Sequence, residues 1–300
     1  MSTVRDAVNR RLLAAGWELG PRLGRRSSAG LAAAGATLAA RVGGGPVEQL
    51  RSNLQVVTGR PVGDDLVRAG LASYARTWLE VLSLPAWSAS RVLASVLTDP
   101  VGEALLRREH RTRGAVVALP HMGNWDMVGA WACLTGLPVT TVAEQLADPE
   151  FEAFTRARSG LGMEVLSHRD PQVLTRLLRA VEGGRVVCLM ADRLMAGRGL
   201  DVDWPVPGGG SASVAMPPGP ALVARRSGAL LVGLACHYEG DRMRMRFSDP
   251  VEHVPGRDGL SAMTQQLAGF FAAETSRHPQ DWHMMQPFFT GPVPVSADGS

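Results

Sequence analysis

From residue 114 onward, short apolar runs alternate with stretches of helical period, and no other feature narrows the fold as much. The runs at 115–119, 138–142, 163–166, 186–190 and 230–235 read as strands, rich in valine and leucine and mostly bounded by glycine, proline or charge. Helical candidates lie between them at about 126–135, 149–160, 171–182 and 216–227. Such alternation predicts an α/β fold with a central, mostly parallel sheet flanked by helices. The segment 242–247 reads as one more strand, at an edge. Leu260, Met263, Leu267, Phe270 and Phe271 mark a final amphipathic helix.

The first 85 residues read as helices. Val4, Ala7, Val8, Leu12, Ala15 and Leu19 step by three and four, with Arg5, Asp6, Asn9 and Arg10 on the other face. Six arginines (Arg5, Arg10, Arg11, Arg22, Arg25, Arg26) face only Asp6 and Glu18 here, a local charge of +4. A basic amphipathic helix of this kind lies flat on anionic lipid, each arginine near the surface contributing roughly 1 kcal/mol; an ordinary surface helix packed on the core fits the same pattern. A second helix spans 46–58, stopped by Gly59 and Pro61, and a third begins near Asp64. The stripe Val67, Leu71, Tyr74, Trp78 and Val81 on the third suits either a core or a groove for a lipid chain. The expected organisation is an N-terminal helical, membrane-associating part (1–85), an α/β core (86–290) and a tail (291–300), all in one compact unit. No transmembrane helix is expected: the uncharged stretch 204–224 is broken by proline and glycine, and 27–40 is too short. The N-terminus lacks the compact apolar run of a signal peptide.

Composition excludes several chemistries. The chain has 300 residues, 45% hydrophobic and 20% charged, the balance of a globule with a large core. All 31 basic residues are arginine, so a Schiff-base lysine, a Walker-type phosphate loop and a kinase lysine are impossible. A net charge of +3 is too mild to argue for a nucleic-acid partner. Cys133, Cys188 and Cys236 are widely spaced, which disfavours a disulfide framework or a cysteine zinc site. The seven histidines are scattered without ligand spacing, so no metal is expected, and no cofactor either.

The strand at 115–119 runs straight into His121-Met-Gly-Asn-Trp-Asp126, and a helix follows. The carboxyl end of a parallel strand is where such sheets build their sites. From the first helical turn Asp126 can accept the imidazole Nδ1–H and leave Nε2 free as a base. Equally, His121 can be a plain loop residue and Asp126 a helix cap. No Gly-x-Ser-x-Gly elbow and no His-Glu-x-x-His occurs. A base without a protein nucleophile suits direct transfer, in which the substrate's own hydroxyl attacks.

With these residues the chain resembles the glycerolipid acyltransferase superfamily, whose signature is His-x4-Asp at a strand end. Within it the sequence is similar to the lipid A lauroyl/myristoyl branch, and most of all to the phosphatidylinositol mannoside acyltransferases. The resemblance rests on Leu119-Pro-His-Met-Gly-Asn-Trp-Asp126, Thr141-Val-Ala-Glu144, Leu161-Gly-Met-Glu-Val165, Cys188-Leu-Met-Ala-Asp-Arg193, Met216-Pro-Pro-Gly-Pro220 and His278-Pro-Gln-Asp-Trp-His283. It implies a peripheral membrane enzyme on the cytoplasmic face, moving a long acyl chain, palmitoyl by preference, from acyl-CoA to a mannose hydroxyl of a membrane glycolipid. No acyl-enzyme is implied. His121 matches the family's general base, and the acid that pairs with it falls on Asp192, where the family tends to carry glutamate. Glu144 and Arg158 fall on further polar positions of the family's site. The Phe-Pro-Glu-Gly-x-Arg block of glycerol-phosphate acyltransferases is missing, which argues against glycerol 3-phosphate as acceptor.

Other groups extend this picture. Arg107, Arg108, Arg111, Arg113, Arg193 and Arg198 are candidate phosphate ligands, or solvated surface charges. The oxyanion can be met by the Gly123 and Asn124 amides or by Arg158. Met122, Trp125, Met127 and Trp131 suit the walls of an acyl channel, or core. A lipid A-type enzyme using acyl-CoA or acyl carrier protein, a lipid-ester hydrolase or thioesterase using the same His121, and a non-catalytic membrane-binding protein are the alternatives.

Overall fold

The computed structural model describes residues 25–144, 148–194 and 197–290. The basic amphipathic segment with Arg5, Arg10, Arg11 and Arg22 lies outside the described residues, as does the tail 291–300.

The described chain opens with helices α1 (Arg25–Val42), α2 (Gly45–Thr58), α3 (Asp64–Ser83) and α4 (Ala89–Ala94). Gly59 ends α2 in the left-handed conformation, as its place in the sequence predicts. There follow β1 (Val96–Leu97), α5 (Pro100–Arg113), β2 (Ala115–Leu119), α6 (Trp125–Leu134), β3 (Val139–Ala143), α7 (Asp148–Gly160) and β4 (Glu164–Ser167). The rest comprises α8 (Val173–Glu182), β5 (Val186–Met190), β6 (Leu200–Pro205), β7 (Ser211–Met216), α9 (Gly219–Ser227), β8 (Leu230–Glu239), β9 (Arg242–Phe247) and α10 (Gly259–Arg277).

Seven strands form one sheet in the order β1-β9-β8-β2-β5-β3-β4, parallel throughout except between β8 and β9. This is the expected α/β fold. Alternate residues of each strand feed opposite layers. Val116, Ala118, Val187, Leu231 and Ala235 pack with residues of α2, α8, α9 and α10. Ala115, Val117, Leu119, Leu230, Val232 and Leu234 pack with α4, α5 and α6. Both faces being covered, β2 is buried from end to end, which is why it reads as an unbroken apolar run.

Several elements depart from the expectation, among them β9, which is not the edge strand because β1 pairs outside it. β6 and β7 form a separate antiparallel hairpin, within a stretch that reads as irregular because Pro-Gly-Gly-Gly dominates its centre. Its period-two signal is present: Val202 and Trp204 are buried, while Asp201 and Asp203 point out. α9 begins at Gly219 rather than 216, since Met216 still belongs to β7. β8 continues to Glu239, past the expected 235.

The α3 stripe divides between the two uses it suits. Val67, Leu71 and Val81 are buried, while Tyr74 and Trp78 face a cavity. No described helix is long and apolar enough to cross a membrane. α1 leaves Leu31, Leu38 and Val42 exposed, at 54%, 65% and 77%.

Candidate active site

His121 sits just past the carboxyl end of β2, a central strand of the sheet, and Asp192 sits just past the end of its neighbour β5. The pairing of the two strands brings together residues 71 apart in sequence. Asp192 is fully buried and accepts three N–H groups: the His121 amide at 2.8 Å, His121 Nδ1 at 2.6 Å and Trp282 Nε1 at 3.0 Å. Burial alone pushes the Asp192 carboxyl up. The facing His121 charge and the hydrogen bonds from His121 and Trp282 outweigh it and hold the group below its ordinary value. An ionised carboxylate only accepts, so Nδ1 carries the proton of this bond, and in the neutral imidazole the lone pair is on Nε2. The His121 side chain is 22% exposed and borders the cavity.

The loop holding His121 is set from two sides. Asp281, Trp282 and His283 run against it: the Gly123 amide donates to the Asp281 carbonyl at 2.8 Å, and the His283 amide to the His121 carbonyl at 2.8 Å. Gly123 has φ +61° and lies against β8, where a Cβ would meet the Cys236 carbonyl oxygen at 2.5 Å. Only glycine fits there. Asn124 caps α6, its side chain accepting from the Met127 amide at 3.0 Å. Its Nδ2 donates to buried Glu80 of α3, which also accepts from the Tyr238 hydroxyl and Arg76 Nε.

Asp126 therefore does neither of the things its spacing allows. Asn124 is the cap, and the Nδ1 partner is Asp192. Asp126 instead grips Arg158 of α7 in a two-pronged ion pair, 2.6 Å to Nε and 2.9 Å to Nη2. Burial works against the Arg158 charge, but the Asp126 carboxylate more than offsets it and raises the guanidinium further. Glu144 and Arg193 meet each other at 2.7 Å, and Arg193 also donates to Gln286 at 3.0 Å. The arginine cluster on α5 is largely a surface network: Arg107 pairs with Glu103, and Arg108 and Arg113 with Glu109. The Gly123 amide, one oxyanion candidate, is already engaged by Asp281.

A cavity of about 1010 Å³ is bordered by His121, Trp125, Asp126, Glu144, Arg158, Arg193 and His283. Beyond these polar groups the sheet contributes Val117, Leu119, Cys188, Leu234, Met245 and Phe247, and α5 and α6 contribute Leu106, Val128 and Trp131. Trp125 and Trp131 thus line it as expected, whereas Met122 and Met127 are core. His283 is the residue that sequence reasoning did not single out. Its Nε2 lies 3.0 Å from Ser73 Oγ, its Nδ1 has no partner among the described residues, and its ring meets Tyr74 edge-on at 5.5 Å. Burial, aided by the nearby His121 charge, pushes its pKa down to about 3, so it stays neutral. The signal was the Asp-Trp-His run, which marked the segment but not the role of its last residue.

An imidazole held by a buried carboxylate at a strand end thus opens on a mostly apolar cavity. The profile of the family described as "Bacterial lipid A biosynthesis acyltransferase" matches residues 6–290, and the chain belongs to that family; it is an acyltransferase. It is 43% identical over 287 residues to a protein named phosphatidylinositol mannoside acyltransferase from Mycolicibacterium smegmatis, covering 91% of this chain and 89% of the relative. It is 41% identical over 256 residues to a protein of the same name from Mycobacterium tuberculosis, covering 81% of this chain and 77% of that one.

Proposed function

We propose that the enzyme transfers a long acyl chain, palmitoyl by preference, from acyl-CoA to a mannose hydroxyl of a phosphatidylinositol mannoside, with His121 as general base. The observation that carries this reading is the His121–Asp192 pair opening on an apolar cavity. The acceptor class follows from the names of the two relatives.

The chemistry needs little else. A thioester is already activated, so the enzyme has to raise the nucleophilicity of a hydroxyl and hold both substrates in line. Nε2 of His121 takes the hydroxyl proton as the oxygen attacks the thioester carbonyl. Asp192 steadies the imidazolium through Nδ1–H. Collapse of the tetrahedral intermediate breaks the C–S bond, and the departing thiolate receives the proton from Nε2. No cofactor takes part. Arg158, kept charged and oriented by Asp126, supplies positive charge at the cavity border, where it meets the developing oxyanion or an acceptor hydroxyl. Glu144 and Arg193 contact polar parts of the substrates. The apolar lobe beneath His121 takes the acyl chain.

The enzyme works at a membrane surface. Residues 1–85 carry the attachment, the basic N-terminal segment drawn to anionic lipid of the inner leaflet and the exposed Leu31, Leu38 and Val42 of α1 reaching the interface.

Purified protein is incubated with palmitoyl-CoA, with and without a mannosylated inositol lipid, and the products are read by mass spectrometry. A lipid heavier by one palmitoyl group, formed only with acceptor present, is expected. Free palmitate released at the same rate without acceptor would make the protein a thioesterase instead.

A further inference from the structure

We infer that Phe247 is the acyl-length stop of this enzyme: its ring ends the apolar lobe, and its position decides how many methylenes of the donor chain fit. The inference rests on the acyl-channel reading above and assigns the wall that sets its depth.

The wall follows from a short stretch of sequence. Asp99-Pro-Val-Gly102 opens α5: Asp99 caps the helix by accepting from the Gly102 amide at 3.3 Å, and Pro100 fills the first turn. The second Asp99 oxygen accepts from the Phe247 amide at 3.4 Å, which ties the end of β9 to the start of α5. Gly102 then lets the ring lie on the helix. A Cβ at that position would stand 2.5 Å from both Cβ and Cδ2 of Phe247, closer than side chains approach. The ring is seated against the α5 backbone at Gly102.

Phe247 is paired in register with Leu234 of β8, and Leu106 lies one turn along α5 from Gly102; all three line the cavity. β9 is two strands from β2, roughly 10 Å sideways across the sheet from the strand that carries His121. Outside β9 the sheet has only the two-residue β1. A chain that enters at His121 and turns over Leu119 and Leu234 meets Phe247 as the last side chain before the sheet edge.

Two substitutions move this wall in opposite directions. Phe247→Ala removes the ring and deepens the lobe. Gly102→Ala adds the Cβ that the ring cannot avoid, and drives it into the lobe. Wild type and both variants are given an equimolar mixture of saturated acyl-CoAs of 12 to 20 carbons with acceptor, and the acyl lengths in the product are weighed by mass spectrometry. Phe247→Ala should raise relative kcat/KM for chains two carbons above the wild-type optimum by roughly tenfold, the gain from burying two further methylenes. Gly102→Ala should shift the optimum to shorter chains. Thermal-shift titration with free fatty acids of the same lengths reads the wall without turnover.

An active Phe247→Ala variant with an unchanged length profile would overturn the assignment. Should the wild type transfer nothing while the fatty-acid optimum still moves between variants, the wall stands and the acyl-CoA reading falls. Neither transfer nor chain binding by the wild type would remove both.

Discussion

Asp126 and Asp192 both lie near the loop that bears His121, and their partners give them different tasks. Asp192 is buried under the imidazole and receives three N–H groups, so it fixes the tautomer that leaves Nε2 as acceptor. Asp126 is spent on Arg158. Asp192→Asn should cut kcat by about 10²–10⁴, because an amide admits the wrong tautomer and no longer steadies the imidazolium. Asp126→Asn loosens the Arg158 clamp, so KM should rise more than kcat falls. Steady-state kinetics on the two variants separate the roles, and a collapse of kcat confined to Asp126→Asn would reverse them. His121 is legible in the sequence because an apolar strand delivers it to a turn before a helix. Its partner is not. Spacing points to the carboxylate five residues on, whereas contact depends on which strands are neighbours, and only the family resemblance points to Asp192.

At the scale of elements, the six strands read from the sequence are all present in the main sheet, and 115–119, 186–190 and 242–247 have the expected ends. These strands announce themselves because burial on both faces leaves no polar positions, or because turn residues bracket them. The β6–β7 hairpin stayed hidden since its outward residues are aspartate and serine, so the alternation reads as loop. Gly123 is the joint between β2, β8 and the segment 281–283. Gly123→Ala should cost about 1–3 kcal/mol in denaturant unfolding, from a left-handed residue forced against the Cys236 carbonyl. Turnover should fall with it, and an unchanged stability would mean the loop is loosely held.

Where β8 meets α10, the rings of His237 and His278 stack at 3.5 Å and 8°. Burial, then the His278 charge, pushes the His237 pKa to about 4. Its unfolded value is about 6.5, so below that pH the unfolded chain binds the proton that the folded one refuses. The contribution of neutral His237 to stability is therefore full above about pH 6.5 and is lost as pH falls toward 4, with His283 acting in the same sense. Thermal melts should show Tm dropping across this window, and less steeply in His237→Phe. A Tm that rises on acidification would contradict the burial of neutral imidazole.

With the proposed glycolipid acceptor, the whole molecule has to meet a substrate anchored in a bilayer without a described helix able to span one. In the attachment proposed above, charge from the N-terminal arginines combines with the apolar residues that α1 leaves exposed. Replacing Arg5, Arg10 and Arg11 by glutamine should release the enzyme from anionic vesicles. High salt should do the same to the wild type, as screening shortens to about 3 Å at 1 M. Acylation of a bilayer-borne acceptor should slow far more than that of a short-chain soluble analogue, because the site at His121 is untouched. Flotation showing equal binding to neutral and anionic vesicles at every salt concentration would remove the electrostatic anchor.

The central claim is that the acceptor hydroxyl attacks directly with His121 as its base, and the most direct test is the turnover of His121→Ala. With palmitoyl-CoA and a mannosylated inositol lipid, initial rates of acylated-lipid formation should fall by about 10²–10⁴. Circular dichroism and binding of the acyl donor should stay near wild type, because the His121 side chain borders a cavity rather than filling the core. A variant that folds, binds donor and still acylates within a factor of about two of wild type, far inside the range general-base removal costs, would show that the proton leaves by another route.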